Sequence, residues 1–246
     1  MFMINVGVLL IIIGYKMKIF VGYDSRENDA YSVCINSLFK HNDNIQIHPL
    51  VQHELRKRLY YNRPENEKAS TEFAFTRFLV PILCNYTGWA VFMDCDILCT
   101  RSLKQYFDNL SNNKAIYCVK HDYTPRSVVK MDGQKQVSYP RKNWSSVVFF
   151  NCGHKANRSL TTNMVNNAHP SVLHRFGWLD DSEIGELPVD CNWLEYEYNK
   201  HIFEQQYNRP PSLIHYTCGG PWFKEVKDSR IIDYGDLWEK EYDELV

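Results

Sequence analysis

Excess charge of either sign is what this 246-residue chain most clearly lacks: 28 basic side chains stand against 29 acidic ones, for a formal net charge of -1. Broad, non-specific nucleic-acid binding draws on a basic surface, so this balance excludes it while leaving room for a local basic pocket. Long apolar runs are also missing. The most apolar stretch, Phe2 to Tyr15, is about 14 residues, short of the roughly 20 that a spanning helix needs. No basic residue precedes it and no small-x-small cleavage site follows. It reads as a segment upstream of the folded domain, or a strand packed on it, ahead of a membrane-surface anchor. Met17 opens MKIFVGYD, so one domain is expected over residues 17–246, with residues 1–16 as an apolar extension. Paired cysteine motifs are absent: there are 8 Cys but no C-x-x-C, and three residues separate Cys95 from Cys99. That spacing supports neither a disulfide framework nor a structural zinc site. Buried, reduced thiols of a cytosolic protein are expected instead. No internal repeat and no low-complexity linker divides the chain, and 44% hydrophobic with 23% charged residues is a globular composition.

What is present is an alternation of strand and helix signals. Lys18 to Val21 reads as a buried strand ending at Gly22-Tyr23-Asp24. Between Arg26 and Lys40, Ala30, Val33, Cys34 and Leu38 recur at helical spacing. Ile45 and Ile47 alternate with polar neighbours, as in a second strand. Residues 56–68 are polar and aperiodic, a loop. Glu72 to Leu83 predicts a helix capped by Ser70 or Thr71 and kinked at Pro81. Trp89 to Met93 is an apolar strand that stops at two aspartates; Ala115 to Val119 and Val147 to Phe150 are further strands, and Tyr234 to Val246 is a terminal helix. The alternation implies an α/β fold with a central, mostly parallel sheet flanked by helices. In such sheets ligands bind outside the carboxyl ends of the strands, where the polar motifs fall. Trp178, Trp193 and Tyr196 read as core, while Asp190, Glu195 and Glu197 read as a solvated helical face.

The sharpest motif is Val91-Phe92-Met93-Asp94-Cys95-Asp96. In extended backbone, residues i and i+2 point the same way. Asp94 and Asp96 therefore either share one Mg²⁺ or Mn²⁺, which prefer oxygen ligands and substrate phosphates, or are two solvated loop aspartates. The second motif is Ile214-His215-Tyr216-Thr217-Cys218-Gly219-Gly220-Pro221-Trp222. A neutral imidazole is a good Mn²⁺ ligand, and glycines let backbone amides approach phosphate oxygens. The alternative is a core histidine beside an ordinary turn. His121 and Asp122 end a strand and are candidates for sugar contact. Lys142 to Ser146 is either turn chemistry or a sugar-contacting loop.

Taken in order, IFVGYDSRE, STEFAFTRFLVP, VFMDCDIL, RKNWSSVVFFNCGH, FGWLDDSEIGELPVDCNWL and IHYTCGGPW resemble a GT-A-fold glycosyltransferase of family 8, the glycogenin- and galactosyltransferase-like enzymes. The resemblance spans about Lys18 to Trp222. It implies that Gly22, Tyr23 and Asp24 hold the base and ribose, and that Arg77 lies near the diphosphate and donor sugar. Asp94 and Asp96, with Cys95 between them beside the nucleotide, would form the D-x-D, and His215 would be the third metal ligand. Asn151 in FFNCG would lie by the donor sugar. Asp181, in a loose counterpart of the family's D-Q-D, would join Arg77 and Asn151 as a catalytic candidate. Gly219, Gly220 and Trp222 would close on the diphosphate. Here the glycine falls four residues after His215 instead of three, and no lysine precedes Pro221, which leaves Lys224 as its substitute. The implied activity is metal-dependent transfer of a hexose, from UDP-glucose or UDP-galactose, with retention, to a glycan, protein or lipid acceptor. Mn²⁺ or Mg²⁺ and the nucleotide sugar are the implied cofactors. Two other readings remain at this stage: a sugar-phosphate nucleotidyltransferase, disfavoured by the single glycine after the first strand, and a non-catalytic sugar-binding module.

Overall fold

A computed structural model describes residues 16–64, 70–122 and 140–246. The expectations for residues 1–15 and for the end of the 56–68 loop lie outside the described residues. The elements run β1 (Met17–Gly22), α1 (Asn28–His41), β2 (Ile45–Leu50), α2 (Gln52–Lys57), a 3-10 turn (Thr76–Leu79), α3 (Val80–Leu83), β3 (Trp89–Met93), β4 (Ile97–Cys99), α4 (Lys104–Phe107), β5 (Ile116–Cys118) and β6 (Val147–Asn151). They continue through α5 (Thr162–Asn167), α6 (Pro170–His174), β7 (Ile184–Glu186), β8 (Trp193–Leu194), α7 (Lys200–Tyr207), β9 (Leu213–His215), α8 (Lys224–Ser229) and α9 (Gly235–Asp243).

Among the described residues, a six-stranded sheet has the order β2-β1-β3-β6-β5-β7, and a three-stranded sheet the order β4-β9-β8. In the larger sheet β1 is parallel to β2 and β3, and β5 is parallel to β7. β6 alone is reversed, antiparallel to both β3 and β5. The sheet is thus mostly parallel. Its reversed strand is buried at every position, and a strand buried on both faces reads as the same apolar run in either direction.

The helix α1 buries Ala30, Val33, Cys34 and Leu38, the face its spacing predicts. It packs against β4 and α9. Asn36 and Lys40 reach Glu241 of α9 at 2.6 and 2.9 Å. Trp193 is buried in a second core with Leu98, Phe203, Ile214, Tyr216 and Trp238. All eight cysteines are free thiols; seven are buried and Cys218 is half-buried.

Three expectations differ from the structure. The segment Glu72 to Leu83 is not one kinked helix but turns, the 3-10 turn and α3. Pro81 sits in the first turn of α3, where its missing N–H breaks no helical bond. Thr76 to Leu79 are all buried, so no polar face marks where a regular helix would lie. Arg56 and Lys57, assigned to a loop, form the last turn of α2. Asp190, Glu195 and Glu197 are buried, not a solvated face. Asp190 accepts from Arg209 at 2.7 Å, and Glu195 takes both arms of Arg230 at 2.6 Å. Those cations lie 19 and 35 residues away along the chain, beyond the reach of local spacing.

Gly22, at the carboxyl end of β1, lies against the face of Phe73, and a Cβ there would overlap that ring. Gly22→Ala is expected to destabilise the fold by about 1–3 kcal/mol, the usual range for overpacking a dense core. Urea denaturation checks this, and an unchanged midpoint would show that Phe73 can move aside.

Candidate functional site

Residues 94–96 carry the backbone from the six-stranded sheet into the three-stranded one. They are held on both sides: the Asp94 N–H donates to Ser146 O at 3.0 Å, and Asp96 O accepts from the Tyr216 N–H at 3.0 Å. One ligand atom each of Asp94, Asp96 and His215 lies within 4.8 Å of the others. His215 ends β9 and is 2% exposed. Its Nε2 is 3.2 Å from Asp96 Oδ1, and its Nδ1 is 3.0 Å from Asn192 Oδ1. Cys95 lies between the aspartates where the chain bends out of β3. It is fully buried, and its Sγ is 3.5 Å from Glu27 Oε2. Its side chain therefore does not face a nucleotide as expected, and burial, then Glu27, pushes its thiol pKa well up.

Arg77 is buried beside this cluster. Its Nη1 is 2.9 Å from Asp94 Oδ1 and donates to Ser145 O at 2.8 Å. Its guanidinium carbon lies 4.8 Å from the Phe92 ring centre and 5.3 Å from that of Phe73. Such aromatic faces favour a desolvated cation. Glu27 is a further carboxyl at this cluster. Burial, then the charges of Asp96 and Asp24, pushes its pKa up to about 8.

The residues expected at the nucleotide divide. Tyr23, just past β1, is half-buried, set edge-on to Tyr31 at 5.1 Å, with its hydroxyl 3.4 Å from Asn28 Oδ1. Asp24 has no exposed surface. Its oxygens accept from the Arg26 guanidinium at 2.9 and 2.7 Å, from the Arg26 N–H at 3.0 Å and from the Glu72 N–H at 3.1 Å. Burial works to raise its pKa, but those donors outweigh it and hold the carboxyl low. Asp24 is thus a brace between the start of α1 and the segment at Glu72, not an open ribose ligand. The Gly219 N–H donates to Tyr216 O at 2.8 Å, and its carbonyl accepts from Arg230 at 3.1 Å, so the amide expected to reach a phosphate is used within the turn. Gly219 adopts φ 87°, which only glycine takes without strain. Gly220 lies against the ring of the half-buried Trp222, where a Cβ would overlap it. Lys224 is exposed at the start of α8.

Strand direction overturns two further expectations: Asn151 ends the reversed β6, and Asp181 precedes β7 instead of following a strand. Asn151 pairs with Trp89, at the far end of β3 from Met93, and its Nδ2 donates to Asn112 O and Lys114 O at 3.2 and 3.1 Å. It ties down a loop at the opposite edge of the sheet. Asp181 precedes β7 at that same edge, where the Ala115 N–H donates to Glu183 O; it is exposed and ion-paired with Arg141. The residues that β6 does bring to Asp94 are Ser145 and Ser146, just before the strand.

Sequence reasoning missed Glu27 and Asn192. Glu27 gives no local sign of its neighbours. Asn192 had one signal, an uncharged polar residue inside the run VDCNWL. It is fully buried, with Nδ2 2.9 Å from Ser146 Oγ and 3.0 Å from His121 Nε2. His121 in turn is 2.6 Å from the Tyr198 hydroxyl. Burial, then His215, pushes the His121 pKa down to about 3, so it is a neutral, structural imidazole.

The model of the family described as "Glycosyl transferase family 8" matches residues 35–225. The chain belongs to glycosyl transferase family 8. Protein CDI of Arabidopsis thaliana is 46% identical over 228 residues, covering 92% of this chain and 86% of that protein. The fold is that of GT-A glycosyltransferases. The bifunctional glycosyltransferase WbbM in its apo form matches with a TM-score of 0.64 at 12% identity, over 94% of this chain and 50% of that one. The galactosyltransferase LgtC, in complex with donor and acceptor sugar analogs, matches with a TM-score of 0.54 at 11% identity, over 93% of this chain and 96% of that one. The chain thus spans half the length of WbbM and nearly all of LgtC. No helix among the described residues is long and apolar enough to cross a membrane.

The raised Glu27 pKa has a sign that can be measured. The folded state holds this proton up to about pH 8, whereas an unfolded glutamate releases it near 4.3. Between those values the native state binds more protons, so this group lowers stability as pH rises. In EDTA, Glu27→Gln is expected to be more resistant to urea than the wild type at pH 8, with the advantage shrinking toward pH 5. Equal midpoints across that range would show that Glu27 ionises normally.

Proposed function

We propose that this chain transfers a hexose from UDP-glucose or UDP-galactose to a glycan, protein or lipid acceptor, with retention, and that the transfer requires Mn²⁺ or Mg²⁺. Family membership supports glycosyl transfer from a nucleotide sugar; the convergence of Asp94, Asp96 and His215 at the strand ends carries the metal requirement. Two carboxylates and an imidazole form a donor set that suits Mn²⁺. Burial first, and then the charges of Asp96 and Asp24, raise the Glu27 pKa; a cation would relieve the second of these.

Each side chain then has a role. Asp94, Asp96 and His215 hold the ion, and Arg77 fixes Asp94 while adding positive potential behind it. When bound, the ion supplies Lewis-acid neutralisation of the charge that develops on the diphosphate as the sugar leaves. Tyr23 offers a ring and hydroxyl to base or ribose at the end of β1. Trp222 and Lys224 flank the diphosphate side, Lys224 as the exposed cation. Asp24 acts by bracing Tyr23 and Glu27. Retention rests on the family resemblance; with no protein nucleophile assigned, the acceptor hydroxyl enters on the face the diphosphate leaves, and the departing phosphate oxygen takes its proton.

The test is release of UDP from UDP-glucose and UDP-galactose with Mn²⁺, with and without EDTA. EDTA is expected to abolish release. Asp96→Asn is expected to lower kcat/KM by about 100-fold or more, since losing an anionic ligand removes several kcal/mol of transition-state stabilisation. Near-normal turnover of Asp96→Asn at limiting Mn²⁺ would sink the metal assignment. Pyrophosphate formation from a sugar phosphate and a nucleoside triphosphate would sink the transferase reading.

A further inference from the structure

The hydrogen bonds around Asn192 have a fixed direction, and that direction reaches His215. The Ser146 hydroxyl donates its only proton to Asn143 O at 2.7 Å. Its oxygen must therefore accept in the 2.9 Å contact with Asn192, which places the NH₂ of Asn192, and not its carbonyl, on the Ser146 side. The same NH₂ faces His121 Nε2 at 3.0 Å, so that nitrogen accepts and the His121 proton sits on Nδ1, 2.6 Å from the Tyr198 hydroxyl. The Asn192 carbonyl is then left to face His215 Nδ1 at 3.0 Å. A carbonyl only accepts, so Nδ1 carries the proton.

From this chain of contacts we propose that Asn192, oriented by Ser146, is a positioning residue that holds His215 as its Nδ1–H tautomer and presents Nε2 to the divalent cation. Nε2 is the nitrogen that lies 3.2 Å from Asp96 Oδ1. Without this bond the imidazole could place its proton on Nε2, where it would block the ligand position. Partners of this kind orient a metal-bound histidine and are typically worth 10–100-fold in metal affinity. Asn192 suits the task because it is fully buried, its amide cannot ionise, and its two ends have opposite hydrogen-bonding sense. The inference rests on the metal reading of Asp94, Asp96 and His215, and it assigns which nitrogen binds and what sets it.

The experiment uses the full chain and two readouts. Mn²⁺ affinity is measured by electron paramagnetic resonance of free Mn²⁺, for wild type, Asp96→Asn, Asn192→Leu, Asn192→Asp and Ser146→Ala, each first checked for folding by circular dichroism. The His215 tautomer is read in metal-free protein from long-range ¹H–¹⁵N correlations, in mildly alkaline buffer where an ordinary imidazole is neutral. Asn192→Leu is expected to bind Mn²⁺ about 10–100-fold more weakly, while Asn192→Asp, which keeps an acceptor toward Nδ1, stays within about threefold of wild type. Wild-type His215 is expected to be protonated at Nδ1, and the leucine variant to show the Nε2–H form or a mixture. If the leucine variant does not fold, Ser146→Ala, which frees the amide to turn, is expected to show the same mixed tautomer. A folded Asn192→Leu with wild-type affinity and tautomer, or a wild-type His215 protonated at Nε2, overturns the proposal. Wild type and Asp96→Asn that both fail to bind Mn²⁺ would overturn the metal reading instead, and the metal-free spectrum still decides whether Asn192 sets the tautomer.

Discussion

Two backbone hydrogen bonds at residues 94–96 hold the two sheets in register with each other. The Asp94 N–H is tied to the residue before β6 and the Asp96 carbonyl to the residue after β9. Asp94, Asp96, His215 and Arg77 are each placed through one of those ties, while Glu27 reaches the cluster from the start of α1. The strand β3 delivers the aspartates, β9 delivers His215, and the approach to β6 delivers the Ser145 carbonyl that receives Arg77. Both ends of the three-residue crossing are fixed, and within it Cys95 is buried while Asp94 and Asp96 are half-buried. Arg77 lies beside Asp94 and His215 beside Asp96, so each carboxylate faces a nitrogen within the fold. Glu27, close to both, has its pKa raised by burial first and by the charges of Asp96 and Asp24 next.

The same site depends on a packing sequence that begins at a glycine. Without a side chain at Gly22, the Phe73 ring lies over the end of β1. Phe73 and Phe92 together face the guanidinium of Arg77, and Arg77 holds Asp94. A buried guanidinium that lost its carboxylate would be an uncompensated charge, which typically costs several kcal/mol. The resemblance places Gly22 by the nucleotide. Its packing against Phe73 adds a second constraint at the same position.

What the sequence made legible follows from how local each signal is. The strands β1 and β3 and the helix α1 were legible because apolar runs and 3.6-residue spacing are local patterns. Asp94, Asp96 and His215 were legible because each directly follows or ends an apolar strand. Asn151 was misplaced because the direction of β6 is a property of the sheet, and an all-apolar strand does not encode it; Asp181 was misplaced because it precedes its strand, β7, at the amino end. Asp190 and Glu195 were read as solvated because their cations lie far along the chain. Glu27 was missed because what raises its pKa, burial first and then the charge of Asp96 ahead of Asp24, depends mainly on how the fold encloses it.

The two sides of the site differ in kind. The cation side is built from groups that are buried or doubly tethered: Arg77, Asp94, Asn192 and His215. Its neighbour, the Gly219 turn, is fastened through Arg230 to the buried Glu195, which also takes the Asp233 N–H at 3.1 Å. The residues proposed for the nucleotide and sugar are less fixed: Tyr23 and Trp222 are half-buried and Lys224 is exposed. This division matches the physical demands. Neutralising charge as it develops requires dipoles and ligands already in place, because reorganising them would add to the barrier. Recognising a flexible nucleotide sugar requires groups that can adjust after contact, and long or aromatic side chains at a surface can do so at little cost. The departures from the family pattern, the extra residue between His215 and Gly219 and the absent lysine before Pro221, lie outside the tethered cluster. In the proposed reading they would alter how the adaptable groups reach the diphosphate without disturbing the ligands of the cation.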